Sequence, residues 1–267
     1  MYPHTDHHVD QPILDIQKLS VIYGALPVLE QLTFHLHPGE RVAVVGPNGA
    51  GKSTLFKVIA GVLMPSSGQV QVYGSIPGNH VCIAYIPQRT QVDWHFPVNV
   101  TDVVMMGRAA KMKPFSWPSR GDYQAVNRAL DTVDMHSLAN RQISELSGGQ
   151  QQRMFIARAL AQEAELILMD EPLSGLDNPS QDSVLAILET LHQKGVTVMV
   201  ATHDLDQASK YFDRILLLNH QIIGFGAPKE VLTSERLLHA YGGRLKIVDA
   251  DGDTVTMDDG CCHGGDE

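Results

Sequence analysis

No apolar run in this sequence is long enough to cross a membrane as a helix. Its most apolar stretches, such as 196–201 and 215–218, have the length of strands, where a span needs about 20 residues. Cysteine is scarce: there are three, and two of them, Cys261 and Cys262, are adjacent. That arrangement makes no disulfide framework and points to a reducing cytoplasm. Basic residues are outnumbered, 20 Lys and Arg against 30 Asp and Glu. A net charge of −10 argues against a broad nucleic-acid footprint, so no nucleic-acid partner is expected. The start of the chain is polar and His-rich, without an apolar signal segment. A soluble chain of 267 residues follows, large enough for a sizeable core. Any membrane role must come through a partner.

What the sequence does have is Gly46-Pro47-Asn48-Gly49-Ala50-Gly51-Lys52-Ser53-Thr54. The apolar run 42–45 precedes it, and residues 55–60 follow with apolar side chains at helical spacing. A buried strand thus turns through glycines into a helix. Backbone N–H groups are left aimed at one point, with the positive end of the helix dipole behind them. Polyphosphate suits such a loop. Lys52 adds a cation for the β- and γ-phosphates, and the Ser53 hydroxyl can ligate Mg²⁺. The plainer alternative is a glycine-rich turn that only connects strand to helix.

Along the rest of the chain, 13–22 and 28–36 read as strands and predict a small, largely antiparallel sheet. Tyr23 lies between them, where a half-buried strand aromatic is the simplest reading. Residues 81–86 form a further apolar strand ending at Pro87-Gln88-Arg89. Thr101 is placed to cap a helix. A later helix carries Tyr123, Val126, Leu130 and Val133 on one face. The stretch of about 89–162 is helical between strand-rich flanks and reads as an inserted helical subdomain. The run 166–169 is wholly apolar and short, hence a central strand buried on both faces. Asn178 and Pro179 open a helix that Gly195 stops. The fold class predicted is α/β: a mainly parallel sheet flanked by helices, with an antiparallel β subdomain and the helical insertion. Residues 1–12 are expected to be a loose tail, 13–243 the folded domain, and 244–267 a strand followed by an acidic, glycine-rich tail.

Hydrolysing a phosphoanhydride needs a metal, a positioned water and compensation for developing charge. Asp170, at the end of the buried strand, can hold Mg²⁺, and Glu171 beside it is available as a general base. Gln88 and His203 each leave an apolar strand on the same side of the sheet, where such folds bind their ligands, although each alone could be a surface polar residue. Ser147 can cap a helix, with Gly148, Gly149 and Gln150 behind it. This is a second anion site in a chain that needs only one for its own nucleotide.

In order and spacing, these motifs resemble the ATP-binding subunit of an ABC (ATP-binding cassette) transporter, over roughly 13–240, with a P-loop NTPase core. Residues 146–150 are the specific part, supported by Asp170-Glu171-Pro172, the loop 174–177 and Thr202-His203-Asp204. The resemblance implies ATP and Mg²⁺ as ligands, with Tyr23 stacked on adenine. Gln88 would sense Mg²⁺ and the attacking water, Glu171 would be the base, and His203 would hold the γ-phosphate. Asp177 would lie at a dimer seam. It further implies a head-to-tail homodimer in which Ser147 and Gly149 of one copy clamp the γ-phosphate held by the other. The other implied partners are membrane permease subunits and an extracytoplasmic metal-binding protein. The subunit itself would sit peripherally on the inner face of the membrane.

The stretch from Tyr85 through Trp94, Phe96 and Arg108 resembles cassettes of bacterial manganese, zinc or iron importers. A loop with exposed Trp94 and Phe96 suits a permease-docking groove, although aromatic filler under a loop would look the same. A soluble ABC ATPase, such as that of iron–sulfur cluster assembly, and an importer of another solute stay open. ABC ATPases of DNA repair or translation carry a long coiled-coil insertion or two cassettes, neither of which is visible. His4, His7, His8, Asp258, Asp259, Cys261, Cys262 and His263 are metal-ligand types in the tails, but read more simply as polar disorder.

Overall fold

The parallel strands of the main sheet alternate their side chains between two apolar layers, which leaves their carboxyl ends to carry the polar residues of the site. The computed structural model describes residues 11–77, 82–113 and 115–242, with the backbone of two further strands near the C-terminus. The His-rich start and the Cys/His tail lie outside the described residues.

The chain opens with β1 (Leu14–Tyr23) and β2 (Leu26–Leu36), continues into β3 (Arg41–Val45) and α1 (Lys52–Ile59), and returns to β4 (Ser67–Val72). β1 lies between β2 and β4, antiparallel to both. Next come β5 (Ile83–Ile86), α2 (Val100–Met106), α3 (Arg120–Thr132) and α4 (Gly148–Ala161). They are followed by β6 (Leu166–Asp170), α5 (Asn178–Gln193), β7 (Thr197–Thr202) and α6 (Leu205–Tyr211). The last elements are β8 (Arg214–Asn219), β9 (Gln221–Gly226), α7 (Pro228–Val231), α8 (Ser234–Tyr241), β10 (Leu245–Val248) and β11 (Thr254–Met257).

The larger sheet has the order β5-β6-β7-β3-β8-β9, parallel except for the antiparallel edge strand β9. Ala43, Val45, Ile167 and Met169 join the layer that contains α2–α5. Val42, Val44, Leu166 and Leu168 face α1 and the antiparallel sheet. Burial on both faces explains why these strands read as unbroken apolar runs. In register, Ile86 pairs with Met169, Asp170 with Ala201, and Val45 with Thr202. The carboxyl ends of β5, β6, β7 and β3 therefore stand side by side.

Several local expectations shift. α2 is capped by Asn99, whose side chain and that of Asp102 form a reciprocal capping box, rather than by Thr101. α5 is capped by Asp177, one residue before the expected cap, with Asn178 and Pro179 already in its first turn. On α3, Val126, Leu130 and Val133 are buried but Tyr123 is exposed. Beyond Leu245–Val248 the chain does not simply dissolve: β11 pairs antiparallel with β10, Leu245 opposite Met257.

Candidate functional site

The phosphate-loop residues are fixed by contacts that a side chain would break. A methyl on Gly46 would stand 1.9 Å from Leu218 O, so β8 leaves room for a hydrogen only. Gly51, at φ 95°, is the N-cap of α1, and a Cβ there would meet Leu29 Cδ2 at 2.5 Å and Val28 O at 2.9 Å. Gly49, at φ 84°, faces open space and is required for its backbone alone. His220 ties the loop to the antiparallel sheet. Its N–H donates to Ala50 O at 3.1 Å, its carbonyl accepts from Glu30 N at 2.9 Å, and Nδ1 lies 3.1 Å from Val28 O.

Lys52 is only 7% exposed and donates from Nζ to Gly46 O at 2.6 Å and to Pro47 O at 3.1 Å. Burial lowers its pKa, and the charges of Glu171 and Asp170 work in the opposite direction. The ammonium is thus kept dry beside two carboxylates.

Those carboxylates close the site. Asp170 is 3% exposed on the α1 side of β6, and its Oδ2 has no hydrogen-bond partner among the described residues. Tyr85 carries a buried hydroxyl on the neighbouring strand. Burial, reinforced by Asp170, holds that phenol above its usual range. Glu171 turns away at φ 47°, with its N–H donating to Ala201 O at 3.0 Å. Its Oε2 accepts from Gln88 Nε2 at 3.2 Å, and its Oε1 lies 3.9 Å from His203 Nδ1. Three residues on three separate strand ends therefore meet at one carboxylate. His203 is steadied from behind. Asp204 N donates to Thr202 Oγ1, Asp204 caps α6, and Gln207 Nε2 donates to Gln181 Oε1 at 3.1 Å.

The second glycine-bearing helix start stands apart. Ser147 caps α4 in a reciprocal box with Gln150. A Cβ on Gly148 would meet the Arg89 guanidinium at 2.5 Å, and one on Gly149 would meet Ser180 Oγ at 2.5 Å. Among the described residues, no hydrogen bond joins 147–150 to 46–54. Tyr23, 48% exposed, ends β1 opposite Leu26, on the hairpin whose Val28 and Leu29 lie against Gly51. Asp177 is exposed and accepts from Ser180 N at 3.3 Å as the cap of α5.

Residues 29–174 match the ABC transporter family. The chain belongs to that family. It is 44% identical to the manganese transport system ATP-binding protein MntB of Bacillus subtilis, over 88% of this chain and 94% of that protein. It is 43% identical to the zinc transport system ATP-binding protein TroB of Treponema pallidum, over 87% and 88%. Among solved structures, it resembles a chain of an inward-facing transporter assigned to the metal-chelate ABC type. That likeness has 37% identity, a TM-score of 0.77 and coverage of 86% and 89%. As an ABC-family ATP-binding domain, the chain binds ATP and hydrolyses it to power transport. Among the described residues, no helix is long and apolar enough to cross a membrane.

For an ABC cassette, the stretch after Gln88 differs from its expected form. Trp94 is not exposed. Its Nε1 donates to Arg89 O at 3.1 Å, and its ring packs edge-on against Phe155 of α4, with centroids 5.5 Å apart. Phe96 is 56% exposed, and Met106, Phe115, Trp117 and Tyr123 add further uncovered apolar surface in this part of the chain. Sequence reading missed Tyr85, Arg89 and His220. Only the position of Arg89 directly after Gln88 hinted at a role.

Proposed function

We propose that this chain is the ATP-hydrolysing subunit of an importer for a divalent metal (manganese, zinc or iron), acting as a head-to-tail pair of cassettes beneath a membrane permease. The observation that carries the catalytic part is the meeting of Gln88 and His203 on Glu171, beside the buried Lys52. The names of the relatives, manganese and zinc transport systems among them, carry the cargo.

In this reading Tyr23 stacks on adenine, residues 46–54 wrap the phosphates, and Lys52 neutralises the β- and γ-phosphates. The unpartnered Asp170 Oδ2 and the Ser53 hydroxyl fit a hard cation, and they would hold Mg²⁺ with Gln88. When bound, that ion offsets charge on the phosphate oxygens. Glu171 accepts the proton of the attacking water, Gln88 and His203 fix its carboxylate, and His203 also reaches the γ-phosphate. Ser147 and Gly149 serve the nucleotide of the opposite copy, with Asp177 at the seam. Residues 13–243 form the nucleotide-binding domain, with 89–162 as its helical part. Phe96 and the exposed apolar side chains of that part receive the permease, which keeps the subunit at the inner face of the membrane. An extracytoplasmic metal-binding protein would complete the system.

Glu171→Gln tests this directly. Hydrolysis should fall by roughly 10²–10⁴-fold, while ATP still binds and a dimer accumulates in gel filtration. Cells that depend on the system should lose uptake of Mn, Zn or Fe. Unchanged uptake of all three, with failure of another solute, removes the metal and leaves the transport ATPase. Recovery without any membrane protein, alongside full activity, would favour a soluble ATPase instead.

A further inference from the structure

The turn that follows β5 is fastened to the start of α4 by one side chain. Arg89 Nε donates to Gln151 Oε1 at 3.2 Å, and the buried Gln151 passes the link on from Nε2 to Leu146 O at 3.3 Å. The guanidinium lies flat against Gly148, where a Cβ would come within 2.5 Å of Nη1 and 2.9 Å of Cζ. Trp94 holds the same turn from outside, donating to Arg89 O and packing on Phe155. The residue just before Arg89 is Gln88, which donates to Glu171. An unbroken series of contacts therefore runs from Glu171 through Gln88, Arg89 and Gln151 to both sides of Ser147.

The charge of Arg89 does not account for its place. A cation at a helix N-terminus opposes the helix dipole, and no carboxylate pairs with Arg89 among the described residues. What keeps it there is shape: a planar fork against a glycine and one amide acceptor.

We propose that Arg89 is a positioning residue that couples the nucleotide bound by a copy to the posture of its own 146–150 segment, and so to the site across the dimer. This rests on the two-cassette reading above. Gln88 and Arg89 are neighbours on one short turn, so a displacement of Gln88 at the copy's own γ-phosphate moves the guanidinium. Leu146 and Gly148 move with it, on either side of the serine that serves the opposite copy. Linkage is reciprocal, so occupancy of the opposite site acts back on Gln88 by the same route.

The test uses the full-length chain. ATPase rates are measured against ATP concentration for wild type, Arg89→Met and Arg89→Lys, with ADP affinity of the dilute chain as control. Wild type should be cooperative, with a Hill coefficient above one and at most about two for two sites. Arg89→Met should bring it to about one while ADP affinity stays within about twofold. Arg89→Lys, which keeps a donor for Gln151 Oε1, should recover part of the cooperativity. A purely structural role would instead change ADP affinity and thermal midpoint together and leave the Hill coefficient alone. Arg89→Met with wild-type cooperativity overturns the proposal. So does a wild type without cooperativity whose Glu171→Gln form still dimerises. If Glu171→Gln does not dimerise with ATP, the two-cassette reading fails first and the coupling falls with it.

Discussion

α1 and α4 both begin in glycine-bearing, polar segments, yet their starts are built in opposite ways. α1 has no side-chain cap, begins from a left-handed glycine and carries a buried lysine in its first turn. Caps are worth about 1 kcal/mol, and a cation in the first turn is of the wrong sign for the dipole. α4 has a complete capping box, as do α2 and α3. α1 thus forgoes the ordinary stabilisation of a helix start, and its lysine is held instead by Gly46 O, Pro47 O and the charges of Glu171 and Asp170. α4 is already satisfied at Gln150 N, and its glycines make room for Arg89 and Ser180. Neighbours require glycine at both ends, but only the α1 end also requires it for a left-handed backbone, at Gly49 and Gly51.

The sharpest expected effect separates the two ends by ligand. Lys52→Ala should weaken ATP binding to the dilute chain by about 10- to 100-fold, the range for losing a charged hydrogen-bonding partner. Ser147→Asp retains a good capping side chain and should leave that affinity within about twofold, while abolishing ATP-driven dimerisation in the Glu171→Gln background. Equal loss of affinity in both variants would erase the distinction. Next come the glycines of the first end, compared by urea unfolding. Gly46→Ala drives a methyl into the backbone of β8 and should cost about 3 kcal/mol or more. Gly49→Ala meets nothing and should cost only the left-handed backbone, about 1–2 kcal/mol.

At the second end, Gly149→Ala collides with Ser180 Oγ and Cβ, for an expected loss of about 1–2 kcal/mol. Ser180→Gly in the same chain should restore most of it, because the Ser180 Cα then lies 3.5 Å away. Failure of that rescue would mean Gly149 is required for another reason. The smallest effect concerns a capping box itself. Asp122 is pulled down to about 2 by the Ser119 side chain first, then the Ser119 backbone, with Arg108 2.9 Å away adding to it. A depressed carboxyl stabilises the fold above its unfolded value and loses that contribution as pH falls through its folded value. Asp122→Asn should therefore be less stable than wild type at pH 7 by about 1 kcal/mol, with the gap closing between about pH 4 and pH 2. A gap constant over that range would show that shape, and not charge, is what Asp122 supplies.

The parts of this molecule that were legible in its sequence are those written in local pattern. Apolar runs gave the parallel strands, and the glycine spacing of 46–54 gave the strand–loop–helix turn. Asp170-Glu171, Gln88 and His203 follow short buried strands, so their convergence at one sheet edge followed from topology. What was hidden depends on partners far away in sequence. Trp94 reads as an exposed anchor until Phe155, 61 residues later, is seen against it. Gly149 reads only as a phosphate contact, and the second demand on it, the room taken by Ser180 of α5, shows only in the fold. The cap of α5 was misplaced by one because Asp177 and Asn178 are both competent caps, and only backbone geometry chooses between them. β11 was overlooked although Thr254-Val255-Thr256-Met257 alternates polar and apolar as a strand does, because the run is short and its flanks are acidic and glycine-rich.

Glu171 carries one more consequence, for anyone evolving this chain. Its backbone sits at φ 47°, a region costly to every residue with a Cβ and free to glycine. A library selected only for survival of heating will therefore enrich glycine at this codon. The winners gain stability by discarding the carboxylate on which Gln88 and His203 converge. On the proposed role of Glu171 as the base, heat and turnover pull this position in opposite directions, and a screen that scores the first without the second will breed robust proteins that leave ATP intact.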